Sequence, residues 1–336
     1  MNIRAIGFYI GHLLRIEGVL LIPALLIALF RQEHEPLKAL GITILILIVL
    51  SMALLSLGQR GPLWKRRREA GKARPVEGIH AREGFVITAL GWICLSLFGA
   101  LPFYLSGMIP RFIDCWFETV SGFTTTGATI LTQIEGLPLS LLYWRSFTHW
   151  IGGMGVLVFL LSLLPLTGGS HVNLMKAESP GPQVDKLVPK VQSTAKILYG
   201  IYLVLTVLVI LALRAAGMDW FDSVTHAFAT AGTGGFSTRN LSVGAYQSPA
   251  VEIVLGIAML LFSVNFALYF LILCGKWRQA LKSDELRFFA SVVGGSVLLI
   301  ACNIQSMYGS FLTSLRHAFF QVSSIISTTG FSSVDF

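Results

Sequence analysis

The decapeptide SGFTTTGATI, Ser121–Ile130, is polar and glycine-centred, yet it lies between two long apolar segments. A looser copy, AGTGGFST, occupies Ala231–Thr238, and a third, STTGFSS, occupies Ser327–Ser333. With Gly127, Gly235 and Gly330 in register, the three read TTGAT, TGGFS and TTGFS, and the glycines stand 108 and 95 residues apart. Each copy follows a short amphipathic run, Trp116–Phe123, Trp220–Ala229 or Leu312–Ile325. A short amphipathic helix running into an extended, glycine-centred segment is the pattern of a re-entrant pore loop. Its threefold occurrence makes the remainder of the chain a scaffold for three such loops.

The composition sets the solvent. Of the 336 residues 54% are apolar and only 12% charged, against about 25% charged in an ordinary soluble domain. A bilayer-spanning helix needs roughly 20 mainly apolar residues. Such segments are expected at Gly7–Phe30, Leu37–Leu57, Gly84–Met108, Leu139–Leu166, Ala195–Ala216, Val251–Cys274 and about Phe288–Met307. The net charge of +8 does not point to nucleic acid, because it is concentrated in short loops between the apolar spans. The loops Gln59–Glu83, Thr167–Lys196 and Gly275–Arg287 hold 8, 4 and 4 basic residues, whereas the alternate loops hold Arg31, Arg111, Arg239 and Arg316, one each. Basic loops stay cytoplasmic, which predicts a cytoplasmic amino terminus and three outward-facing glycine loops. No small-residue cleavage site ends the first apolar run, so a removable signal peptide is not expected.

The organisation follows: an amino-terminal transmembrane hairpin (1–58), a basic cytoplasmic loop (59–83), a first pore unit (84–166), a cytoplasmic loop (167–194), a second pore unit (195–274), a cytoplasmic loop (275–287) and an incomplete third pore unit (288–336). The predicted class is an all-α polytopic membrane protein with repeated span–pore loop–span units around a pore. Cys94, Cys115, Cys274 and Cys302 show neither CxxC spacing nor a disulfide framework, so no metal or redox role is expected.

Chemistry concentrates in the loops. An unpaired backbone amide or carbonyl in hydrocarbon costs several kcal/mol, so irregular backbone persists at membrane depth only where it is buried in protein or lines a watery cavity. Glycine admits conformations closed to other residues. Rings of backbone carbonyls replace the hydration shell of a monovalent cation, and threonine hydroxyls add further oxygens. Around the loops, Asp114, Glu118 and Asp222 either concentrate cations at an outer mouth or cap the pore helices. Arg145 and His149, at i and i+4 of the fourth span, are either functional charges within the membrane or, for Arg145, a side chain snorkelling to the outer surface. Asn265, isolated in an apolar span, either lines the pathway or hydrogen-bonds between helices. His12 and His226 read as packing residues. Lys65–Arg68 reads as a topology signal, with docking or anionic-lipid contact as secondary uses. An enzyme is disfavoured: GTGGFS lacks the Lys-Ser/Thr of a phosphate loop, and neither HExxH nor a Ser-His-Asp arrangement is evident.

The segments SGFTTTGAT, HWIGGMGVLVF, KAESPGP, AFATAGTGGFST and AFFQVSSIISTTGFSS, in that order, resemble the TrkH/KtrB family of potassium uptake proteins. That resemblance implies four span–loop–span units around one potassium pathway, with the extra hairpin seen in TrkH members. It implies Thr125 and Thr126, Thr233 and Gly234, and Thr328 and Thr329 as carbonyl donors, with Gly127, Gly235 and Gly330 as the filter glycines. It implies potassium as substrate without a covalently bound cofactor, a place in the bacterial cytoplasmic membrane, and a homodimer seated on a cytosolic nucleotide-binding ring of the TrkA or KtrA type. One glycine per filter, where potassium channels carry Gly-Tyr-Gly, implies modest rejection of sodium. The second span of the third unit and the whole fourth unit have no counterpart before Phe336, so the chain is expected to be an incomplete subunit. The alternative is a non-conducting membrane scaffold.

Overall fold

The computed structural model describes residues 2–59, 81–153, 155 and 191–334. Among the described residues all regular structure is helical, and five helices are long and apolar enough to cross a membrane, or six if a bent pair counts as one. The carboxyl-terminal part of the span expected at Leu139–Leu166 falls, past Gly153, outside the described residues. So do most of the basic stretches at 59–83 and 167–194, with Lys65–Arg68 and the KAESPGP segment.

The chain divides into two compact units. The first comprises Met1–Phe123, Leu137–Trp144 and Met154–Lys196. Its amino-terminal hairpin is α1 (Ile3–Leu20) and α2 (Ile22–Phe30) followed by α3 (His34–Gln59). Helix α1 lies against α3 at two glycines. A Cβ on Gly11 would sit 3.3 Å from the Ser51 carbonyl oxygen, and one on Gly18 would sit 3.6 Å from Leu47 Cβ. Small residues let two backbones approach where no hydrophobic force separates lipid from helix. Helix α4 (Ala81–Gly99) packs on α1, and short α5 (Leu101–Leu105) links it to the first pore helix, α6 (Phe112–Phe123). The outer face of α3 carries Ile42, Leu45, Val49 and Met52, all exposed, as a lipid-facing surface requires.

Helix α7 (Leu139–Gly153) begins in this unit. Its start is capped from the hairpin turn. The Leu139 and Ser140 amides donate to the Glu33 carboxylate at 2.8 and 3.2 Å, and the Ser140 hydroxyl donates to it as well. A carboxylate at a helix amino terminus satisfies orphan donors and complements the helix dipole. Glu33→Ala is therefore expected to destabilise the protein by about 1–2 kcal/mol, visible as a lower unfolding temperature in detergent. An unchanged unfolding temperature would remove this cap from the account.

The second unit comprises Thr124–Gly136, Arg145–Gly153 and Ile197–Phe336. It holds α8 (Val191–Ala215), which continues from the first unit, then the second pore helix α9 (Trp220–Ala231), α10 (Pro249–Ser263), α11 (Phe266–Leu273), α12 (Trp277–Leu281), α13 (Asp284–Tyr308) and the third pore helix α14 (Phe311–Ile326). Local signals explain the starts. Asp219 caps α9 by accepting from the Phe221 amide at 3.0 Å, Ser248 precedes Pro249 at the head of α10, and Asp284 and Glu285 occupy the first turn of α13. Each places an oxygen or a negative charge where helix amides lack partners. Val293, Val297, Ala301, Ala318 and Val322 form a core between α13 and α14. Phe319 packs against this core and seats its ring against Gly256 of α10.

One expected span differs. Val251–Cys274 reads as a single apolar helix, but α10 and α11 meet at 89°. The break falls at Val264 and Asn265. The Asn265 side chain accepts from the Ala267 amide at 3.0 Å and so caps α11, while its Nδ2 reaches Glu285 at 3.4 Å. An asparagine that caps one helix terminates the one before it.

Candidate functional site

The three glycine-centred segments share one backbone form. Thr125, Thr233 and Thr328 have φ of 54°, 53° and 59°, and Gly127, Gly235 and Gly330 have φ of 78°, 77° and 81°. The residue between each pair, Thr126, Gly234 or Thr329, has no positive φ. A β-branched residue in the left-handed region is uncommon and costs about 1–2 kcal/mol. Its recurrence at three matched positions marks a conformation held by its surroundings, as strain at functional sites is. Alternating handedness also turns successive peptide groups toward one side, which lines up polar groups that an ordinary strand would alternate.

The pore helices α9 and α14 fix the entry to the second and third segments. After α9 the Thr233 amide donates to the Thr230 carbonyl at 3.0 Å and the Gly234 amide to the Ala229 carbonyl at 2.9 Å. After α14 the Thr328 amide donates to Ile325 at 3.0 Å and the Thr329 amide to Ser324 at 2.9 Å. The first amides of these two segments are thus consumed by the helix end. A helix carboxyl terminus carries roughly half a negative charge, and α6, α9 and α14 each run by that end into a filter segment. The arrangement suits a cation.

The segments also touch in order. A Cβ on Gly127 would overlap the Gly234 carbonyl oxygen and lie 3.8 Å from that of Thr329. A Cβ on Gly235 would overlap the Thr329 carbonyl oxygen. Only a residue without a side chain allows this approach. Segment 1 therefore rests on segment 2, and segment 2 on segment 3.

Behind segment 2, its exit is tied to α9 and α7. The Arg145 guanidinium lies 3.6 Å from the centroid of the Phe236 ring and donates to the Ser237 carbonyl at 3.0 Å. Arg145 is 2% exposed, so the snorkelling alternative does not describe it. The Asp222 carboxylate, 3% exposed, accepts from the Thr238 hydroxyl at 2.7 Å and from Arg239 Nη2 at 3.3 Å. Burial works to raise its pKa, but the hydroxyls of Tyr246 and Thr238 outweigh that, and the carboxyl is held below its ordinary range. His226 joins the same web, its Nδ1 on the Asp222 carbonyl at 2.9 Å and its Nε2 on the Ser237 hydroxyl at 3.0 Å. Sequence reasoning left Asp222 either at an outer mouth or capping a pore helix; its carboxylate holds Thr238 and Arg239 of the segment leaving filter 2. Glu118 is 1% exposed on α6, and Asp114 pairs with Arg111 at 2.7 Å. Asn265 sits at the α10–α11 bend, and His12 Nδ1 bonds the Phe8 carbonyl at 2.9 Å within α1.

Sequence reasoning paired His149 with Arg145 but gave it no contact with a filter. Its imidazole is fully buried, stacks on Phe236 with ring centroids 4.0 Å apart, and abuts Gly234. One turn on, Gly153 meets filter 2 directly: a Cβ there would come 2.6 Å from Gly232 Cα.

Lipid-length helices, re-entrant helices and repeated left-handed filter segments define a polytopic membrane protein of the pore-loop class. The chain belongs to the TrkH family, described as cation transport protein, whose profile matches residues 47–336. It is similar to the Trk system potassium uptake protein TrkH of Halomonas elongata, 37% identical over 350 residues that cover 100% of this chain and 67% of that protein. The TrkH of Escherichia coli K12 is likewise 37% identical, over 98% of this chain and 66% of that one. Among solved structures, that of the potassium transporter TrkH from Vibrio parahaemolyticus superposes with a TM-score of 0.83 at 29% identity, covering 99% of this chain and 66% of its own. The chain thus spans about two thirds of the length of these relatives.

Proposed function

We propose that this protein takes up potassium across the bacterial cytoplasmic membrane along a path lined by the backbone carbonyls of Thr125, Thr126, Gly127, Thr233, Gly234, Gly235, Thr328, Thr329 and Gly330. The observation that carries the reading is the threefold left-handed filter, stacked segment on segment at glycine. Carbonyl dipoles so held, at the negative ends of three helices, favour a dehydrated monovalent cation. The relatives named as potassium uptake proteins supply the choice of ion. Potassium is then substrate, passing through without a resident cofactor.

The basic loops between spans support a cytoplasmic amino terminus and offer a docking surface for a cytosolic nucleotide-binding subunit of the TrkA or KtrA type, under a homodimer of membrane subunits. Asp222 and Glu118 act on the cation through the pore helices that hold them, and Arg145 through the filter it positions.

Cells lacking other potassium uptake and expressing the whole gene are expected to accumulate rubidium, with potassium competing better than sodium. Gly127→Glu should abolish this accumulation at unchanged membrane levels. Equal uptake by that variant would sink the proposal.

A further inference from the structure

The three filters are alike in backbone but not in what stands behind them. In filter 1 the Thr124 and Thr126 hydroxyls bond each other at 2.8 Å. In filter 3 the Ser327 and Thr329 hydroxyls do the same at 2.7 Å. These residues are one and three places before the filter glycine, and the bond between them braces the intervening left-handed threonine. In filter 2 the matching residues are Gly232 and Gly234, and neither has a hydroxyl. The backbone nonetheless takes the same form, with Thr233 at φ 53° and Gly235 at φ 77°.

The missing brace is replaced from α7. A Cβ on Gly232 would overlap the carbonyl oxygen of His149, so helix backbone occupies that space. A Cβ on Gly234 would come within 2.5 Å of both Cε1 and Nδ1 of the His149 ring, and its three nearest atoms all belong to that ring. The imidazole therefore fills the volume that the side chains of Thr126 and Thr329 fill in their own filters. Phe236 stacks on the ring, and Arg145 lies over Phe236 in turn. Neither ring nitrogen of His149 has a hydrogen-bond partner among the described residues. Burying unpaired polar atoms is unfavourable, and an apolar side chain of similar size would fill the gap without that cost.

We propose that His149 is a positioning residue for ion selection: its imidazole serves filter 2 in place of the hydroxyl pair of filters 1 and 3 and sets where the Gly234 carbonyl points. This rests on the potassium-uptake reading above. The Gly234 carbonyl is also the group against which Gly127 of filter 1 rests, so the imidazole acts on two filters through one peptide.

The test is a swap measured by rubidium uptake in competition with potassium and sodium, with membrane levels of each variant determined alongside. Gly234→Thr alone places a side chain into the imidazole and is expected to lose most uptake or fail to accumulate in the membrane. His149→Ala alone should lower the preference for rubidium over sodium about tenfold, as loss of a coupled neighbour does. The double variant Gly234→Thr/His149→Ala gives filter 2 the threonine of its counterparts and should regain membrane level, uptake and preference. Preference unchanged in His149→Ala, full activity in Gly234→Thr, or a double variant no better than Gly234→Thr would each overturn the inference. Wild-type protein without rubidium uptake would instead count against the potassium reading itself.

Discussion

Gly235→Ala is expected to reduce rubidium uptake by roughly 100-fold, the scale on which a displacement of about 1 Å at a reacting or binding centre is felt. Two effects act together. At φ 77° the new side chain is in the left-handed region, which costs an alanine about 1–2 kcal/mol. Its Cβ would also overlap the Thr329 carbonyl oxygen, with the Thr329 carbonyl carbon at 3.0 Å and that of Gly330 at 3.3 Å. No flexible side chain is there to move, so a filter carbonyl must turn away. Gly200→Ala is the control. Gly200 lies within α8 with nothing within 4 Å of its Cβ position, and the added methyl group favours the helix. That variant should transport as the wild type does. Wild-type uptake from Gly235→Ala, at equal membrane level, would show that filters 2 and 3 do not abut.

Arg145→Ala should cost nearly as much, and Arg145→Lys should not restore it. The guanidinium covers the Phe236 face and holds the Ser237 carbonyl, the first and second residues after the filter glycine. Hydrogen bonds from charged groups contribute about 1.5–3 kcal/mol, and a desolvated cation–π contact about 2 kcal/mol. Their loss lets the exit of filter 2 move, with an expected fall in uptake of about 10- to 100-fold. Lysine brings the charge without the plane that stacks, so it should resemble alanine more than arginine. Uptake and ion preference by the three proteins side by side decide this. Full function in the lysine variant would reduce the role of Arg145 to its charge.

Much of the architecture is legible from sequence because the membrane allows few solutions. Long apolar runs must be helices, and a polar glycine segment between them must be enclosed. The register of Gly127, Gly235 and Gly330 therefore led directly to three like backbones. What was hidden depends on residues remote in sequence or on signals the apolar background obscures. The bend at Asn265 is an ordinary helix cap, but mainly apolar residues on both sides let Val251–Cys274 pass for one span. Glu33 caps α7 from across the first unit, and nothing local at Leu139 announces it. Asp222 reads as a surface acid at a pore helix start; only the fold brings Thr238 and Arg239 onto it. For His149 a sign was present. Filter 2 departs from its counterparts by carrying Gly232 and Gly234 where hydroxyl residues stand elsewhere, and two glycines with no positive φ to require them mark space taken by something else.

The order in which the filters lean on one another also bears on how the protein is made. Filter 1 emerges from the ribosome long before the Gly234 and Thr329 carbonyls beside it exist. In the interval its left-handed threonine has only its own loop to restrain it, and contacts between distant parts of a chain are the slow ones to form. Filters 1 and 2 are therefore set late in biogenesis, no earlier than the insertion of α14 and the closing of filter 3 against filter 2. Damage to that re-entrant helix should leave a nascent protein with its earlier spans inserted and its first filter unset.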